Sequence, residues 1–150
     1  MRPVEHDMWS EYALTLLDVL RADKPPFTAT AAEPGQSDEW PFATAEVWVI
    51  TACNPGSVAF DEAENAQRHE QMRQLLLEAG VTPVETVGRQ SGGMWKEEGF
   101  LIEGMAGDDV IDLARQFGQN AVFHWTPSQW VIVGVLQPGR WEMGWRLLDQ

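Results

Sequence analysis

The residues best suited to chemistry are polar side chains that fall where the pattern asks for apolar ones. A helix read over Asp61–Ala79 carries an apolar stripe of Met72, Leu75, Leu76 and Ala79. At about 100° per residue, Asn65 and Arg68 project onto the same stripe, nearer the N-terminus. A guanidinium turned inward is costly unless it is paired. Arg68 therefore calls for a buried carboxylate or an anionic ligand. Thr51 and Asn54 close a strand beside the start of this helix, Glu97 precedes a strand at Phe100, Gln119 follows a third helix, and Trp95 offers an aromatic wall. Together these side chains predict a polar pocket for a small anionic ligand, with Arg68 holding the anion and Asn54, Asn65 and Gln119 donating to it. Glu97 is the candidate catalytic group. A nearby guanidinium would lower its pKa and suit it to orienting a ligand, whereas burial against Trp95 would raise it and suit it to proton transfer. The competing reading is a non-catalytic module whose acidic, tryptophan-rich surface docks a basic protein, with Arg68 and Glu97 as an internal structural network. Whether the protein is an enzyme stays open between the two.

Other constellations carry less. Cys53 stands alone at a strand end and reads as a small buried apolar residue rather than a nucleophile. His6, His69 and His124 show no metal-ligand spacing, so no metal site is expected. His69 projects away from Arg68, toward solvent. Gln90-Ser91-Gly92-Gly93 lacks the length and the lysine of a phosphate loop, and no cofactor is implied.

The elements that must position these groups follow from periodicity and punctuation. Residues 8–22 carry Tyr12, Leu16, Leu17, Val19 and Leu20 at helical spacing, which predicts an N-terminal helix within 1–22. Residues 23–45, rich in Pro, Gly and acids, read as a long loop with a short extended piece at Phe27–Thr30. A core over 46–136 runs strand (46–53), helix (61–79), strand (82–87), strand (99–104), helix (108–117), then a hairpin of strands at 120–125 and 129–136. Trp141, Trp145 and Leu148 predict a short C-terminal helix over 140–148. Hairpins mixed with crossover helices suggest one α+β domain over 1–150, a two-layer sandwich with a mixed or antiparallel sheet around a ferredoxin-like split βαβ core.

Composition bounds the function. Lys and Arg number 10 against 23 Asp and Glu, a net charge of −13 that repels extended nucleic acid and anionic membrane surfaces. A small anion remains admissible, because a local arginine acts within a screening length of about 8–10 Å. No apolar run reaches the roughly 18 residues of a membrane helix. The acidic N-terminus lacks the basic start of a signal peptide, and a cytoplasmic protein is expected. Eight Trp in 150 residues is a high share, and such residues either fill a core or line a pocket.

The candidate residues also lie in ordered motifs. Thr51-Ala52-Cys53-Asn54-Pro55-Gly56-Ser57, Glu64-Asn65-Ala66-Gln67-Arg68, Gly88, Trp95-Lys96-Glu97-Glu98-Gly99-Phe100-Leu101-Ile102 and Ala114-Arg115-Gln116-Phe117-Gly118-Gln119-Asn120-Ala121-Val122-Phe123 follow one another across 46–125. In that order they resemble a family of bacterial proteins known as domain of unknown function 3293. The resemblance implies a small stand-alone cytoplasmic domain and marks Thr51, Asn54, Asn65, Arg68, Glu97 and Gln119 as motif positions. It implies no activity. This chain has Gly99 where the family pattern usually has serine, so a hydroxyl is missing there.

Overall fold

The computed structural model describes residues 13–57, 60–90 and 96–148. Among them are eight strands: β1 (Thr15–Leu20), β2 (Phe27–Ala32), β3 (Val47–Ile50), β4 (Val84–Gln90), β5 (Lys96–Ile102), β6 (Ala121–Trp125), β7 (Trp130–Gly134) and β8 (Arg140–Leu147). Two α-helices accompany them, α1 (Glu62–Glu78) and α2 (Gly107–Gln116). The strands close into a barrel in the order β1-β2-β8-β7-β6-β3-β5-β4. Every pairing is antiparallel, including the one between β1 and β4 that completes the ring.

This corrects the expected α+β two-layer sandwich. Two predicted helices are strands. The described part of 8–22 holds β1, and 140–148 holds β8. The predicted loop over 23–45 contains β2, which extends the piece expected at Phe27–Thr30 to Ala32. The physical reason is that each strand's apolar residues satisfy two periods at once. Trp141 and Trp145 are four apart, which fits a helical face and a strand face equally. The cluster inside the barrel takes Trp141, Met143, Trp145 and Leu147, a period of two. In β1 the inward residues are Leu17 and Val19, 2% and 0% exposed, while Leu20 points outward at 45%.

The barrel has a filled end and an open end. Phe27, Trp125, Trp130 and Trp145 fill the first, joined by Trp40 and Phe42 from the connection between β2 and β3. Their rings meet mainly edge-to-face, as between Trp40 and Trp125 at 5.5 Å and 87° and between Phe42 and Trp125 at 5.1 Å and 86°. The connection is tied down by Trp40 Nε1 donating to Thr44 O at 2.7 Å and by Arg21 donating to Pro41 O at 3.2 Å.

The two helices cover one outer flank. Trp48, Ile50, Phe100, Ile102 and Val122, the outward side chains of β3, β5 and β6, pack on Met72 and Leu76 of α1 and on Val110, Leu113, Ala114 and the following Phe117. β3 is therefore buried on both faces. Asp61 caps α1 by accepting from Glu64 N at 2.7 Å. Gly80 and Gly118 follow the two helices with φ of 83° and 71°, a conformation open to glycine at a helix C-terminus. No helix among the described residues is long and apolar enough to cross a membrane.

Candidate functional site

Where β3 leaves the barrel wall, residues 51–54 form a tight loop that the helices hold by side chains. Asn54 sits at φ 48°, the only non-glycine residue with positive φ among the described residues. Asparagine tolerates that region better than most residues. The loop's polar groups are satisfied one by one. Thr51 Oγ1 donates to Glu98 O at 2.7 Å and accepts from Cys53 N at 3.0 Å. Asn65, on α1, accepts from Asn54 N at 2.9 Å and donates back to Asn54 Oδ1 at 2.8 Å. Arg68 Nε donates to Ala52 O at 2.7 Å, and its terminal NH2 group donates to Phe117 O. Gln119 Nε2 donates to Cys53 O at 3.0 Å and to Phe117 O at 3.3 Å. The Arg68 guanidinium also lies 5.4 Å from the Phe117 ring centre.

One bond leads from this loop toward the barrel interior. Asn54 Nδ2 donates to Glu97 Oε2 at 2.8 Å. Glu97 lies on the inner face of β5, at the barrel's open end, on the wall of a cavity of about 470 Å³ that includes its solvent-facing mouth. Leu17, Val49 and Phe123 line it with apolar surface, and Thr15, Thr51, Thr86 and Glu97 supply polar groups. Burial pushes the Glu97 carboxyl up to about 7, although the bond from Asn54 acts in the opposite sense. A carboxyl so placed exchanges a proton near neutral pH and can accept or donate a hydrogen bond.

The structure thus divides the predicted residues into two groups. Thr51 and Glu97 line the cavity. Asn54, Asn65, Arg68 and Gln119 hold the loop beside it. Trp95 lies outside the described residues. Sequence reasoning missed Thr15, Thr86 and Gly88, which β1 and β4 bring to the cavity wall. Thr15 was hidden by the helical reading of its segment, and no local signal distinguishes Thr86 from an ordinary strand threonine. Gly99 also belongs to the wall. A side chain there would put its Cβ 2.7 Å from Ile50 O and 3.1 Å from Thr86 Oγ1. Cys53 is buried, and burial raises its thiol to about 11, so it stays protonated at neutral pH and is a poor nucleophile. His69, expected to face solvent, is 5% exposed, because the buried stripe of α1 continues from Leu76 and Met72 back to it.

Fold and site together define an antiparallel barrel with an aromatic-filled end and an open end lined by a half-buried carboxyl. Residues 50–122 match the model of the family described as Protein of unknown function (DUF3293), so the resemblance carried by the ordered motifs is shown. No match was found among curated proteins or among solved structures.

Proposed function

We propose that the protein binds a small, largely apolar ligand in the open end of the barrel and anchors its polar head on Glu97. The observation that carries this reading is a carboxyl set into the wall of an otherwise apolar and threonine-lined cavity, with its orientation fixed by Asn54. Closed eight-stranded barrels are just wide enough to hold one small guest.

The ligand class follows from the charges. Among the described residues no Lys or Arg lines the cavity, and Arg68 is engaged with two backbone carbonyls. The lining therefore suits a neutral hydrogen-bonding head or a cationic one better than the anion expected from Arg68. A role for Arg68 and Gln119 in holding the loop carbonyls fits this reading, because the loop in turn supplies Asn54 to Glu97. Docking of a basic protein on the acidic surface is the alternative, and the Arg68 bonds to carbonyls agree with its structural-network half.

The test is a thermal-shift screen of small amines, alcohols, amides, carboxylates and phosphate esters against wild type and Gly88→Leu. A Cβ at Gly88 meets Thr15 Cγ2 at 3.5 Å, ordinary contact, and a leucine there projects into the cavity. Amines or neutral donors are expected to raise the Tm of wild type with the logarithm of their concentration and to leave Gly88→Leu unmoved. Absence of hits, hits confined to anions, or hits retained in Gly88→Leu would overturn the proposal.

A further inference from the structure

On the outer side of the same wall, three elements converge on a second polar cluster. His69 comes from α1, Glu85 from β4 and Glu98 from β5, and one donor atom from each lies within 4.8 Å of the others. No sequence spacing joins them, which is why the pattern of histidines alone pointed to no metal. The imidazole is fixed before any ligand arrives. It is 5% exposed and stacks on Phe100 with ring centres 4.2 Å apart and planes 6° from parallel. Its Nε2 stands 2.9 Å from Glu85 Oε1. Arg73 takes the other oxygen of Glu85 and thereby aims Oε1 at the ring.

Two features mark the cluster as unfinished. His69 Nδ1 is buried without a hydrogen-bond partner, whereas buried polar atoms are nearly always satisfied. Two carboxylates converge on one imidazole, and among the described residues Glu98 meets no cationic side chain in an ion pair. With Glu70 also on Arg73, two carboxylates share one guanidinium.

From this arrangement we infer that His69, Glu85 and Glu98 form a binding site for a divalent transition-metal ion. One imidazole nitrogen and two carboxylate oxygens suit zinc, manganese or iron better than calcium or magnesium, which prefer all-oxygen sets. Donors on one zinc at about 2.0–2.2 Å stand roughly 3–3.5 Å apart, so donors up to 4.8 Å apart need close by about 1.5 Å. Glu98, the exposed member, has the freedom to do so. Three protein ligands leave a fourth position for water or a substrate atom. The Arg73–Glu85 bond and the Phe100 stack act as the supports that ligating side chains require.

The experiment uses the full, tag-free chain, stripped with a chelator and titrated with zinc by calorimetry, with cobalt(II) absorption as a second readout. One zinc per chain and the intense visible bands of low-coordinate cobalt are expected. Glu98→Gln should weaken zinc binding about tenfold or more, His69→Ala should abolish it, and Glu142→Gln, on β8, should leave it unchanged. Because Glu98 is exposed, its substitution preserves the fold and decides the question even where His69→Ala does not fold. Failure to take up zinc at one equivalent, or wild-type affinity in Glu98→Gln, would overturn the inference.

Discussion

Asn54 is where backbone strain and side-chain chemistry meet. Its φ of 48° costs roughly 1 kcal/mol for a residue with a Cβ, and Asn65 and Phe60 offset that by donating to its Oδ1, while Asn65 also accepts from its backbone N–H. Asn54→Gly removes the strain with the side chain, whereas Asn54→Ala keeps the strain and loses the bonds. Alanine is therefore expected to unfold at lower urea than glycine by about 1 kcal/mol, and Asn65→Ala to cost about 1–3 kcal/mol by leaving Asn54 N–H unpaired. Glu97 gives a pH prediction. Its folded value of about 7 lies above the ordinary 4.5, so the fold favours the protonated form. The Glu97 contribution to stability is most favourable below pH 4.5, falls as pH rises toward 7 and levels off above it. Glu97→Gln should match wild type at pH 4 and exceed it by up to about 3 kcal/mol at pH 8, measured by thermal unfolding with chelator present. Helical projection turned Asn65 and Arg68 toward the loop, but it had no means of showing that Arg68 meets carbonyls of Ala52 and Phe117, because those groups belong to every residue and leave no mark in the side-chain pattern.

Elements differ in how plainly they announce themselves. α1 opens on the Asp61 cap and both helices are followed by glycine, and β3 through β7 have Pro, Gly or Asn at or near their ends, so their kinds were readable with ends off by a few residues. β1 and β8 were not. Leu16, Leu17, Val19 and Leu20 fit one helical face, and only pairing with β2 and β4 makes them alternate. That alternation can be measured. Leu17→Ala empties space inside the barrel and should cost about 2–4 kcal/mol, while Leu16→Ala, on the outer face and half-buried, should cost about 1 kcal/mol or less. A helix would bring the two values together. Trp145→Ala, at 0% exposure and against the rings of Trp40 and Trp125, should cost about 3–5 kcal/mol and lower Tm accordingly.

At the scale of the whole molecule, ring closure sets what depends on what. The eight Trp raised the choice between core and pocket, and the barrel answers it by sending Trp40, Trp125, Trp130 and Trp145 to one end and leaving the other to threonines and Glu97. The inner and outer faces of β4 and β5 also carry different chemistry back to back, with Thr86, Glu97 and Gly99 inward and Glu85 and Glu98 outward. The closed ring has a further implication for the segment 50–122. That stretch holds β4 and β5 whole but only the last residue of β3 and the first two of β6, and it lacks β1, β2, β7 and β8. Cut out and expressed alone, it would keep α1 and α2 on one face but present two hydrogen-bonding flanks with no neighbours and an inner face with no opposite wall. Such a fragment should show broad, noncooperative melting and poor amide dispersion. The most recognisable part of the chain is thus an arc that becomes a folded object only when the less recognisable remainder joins its ends.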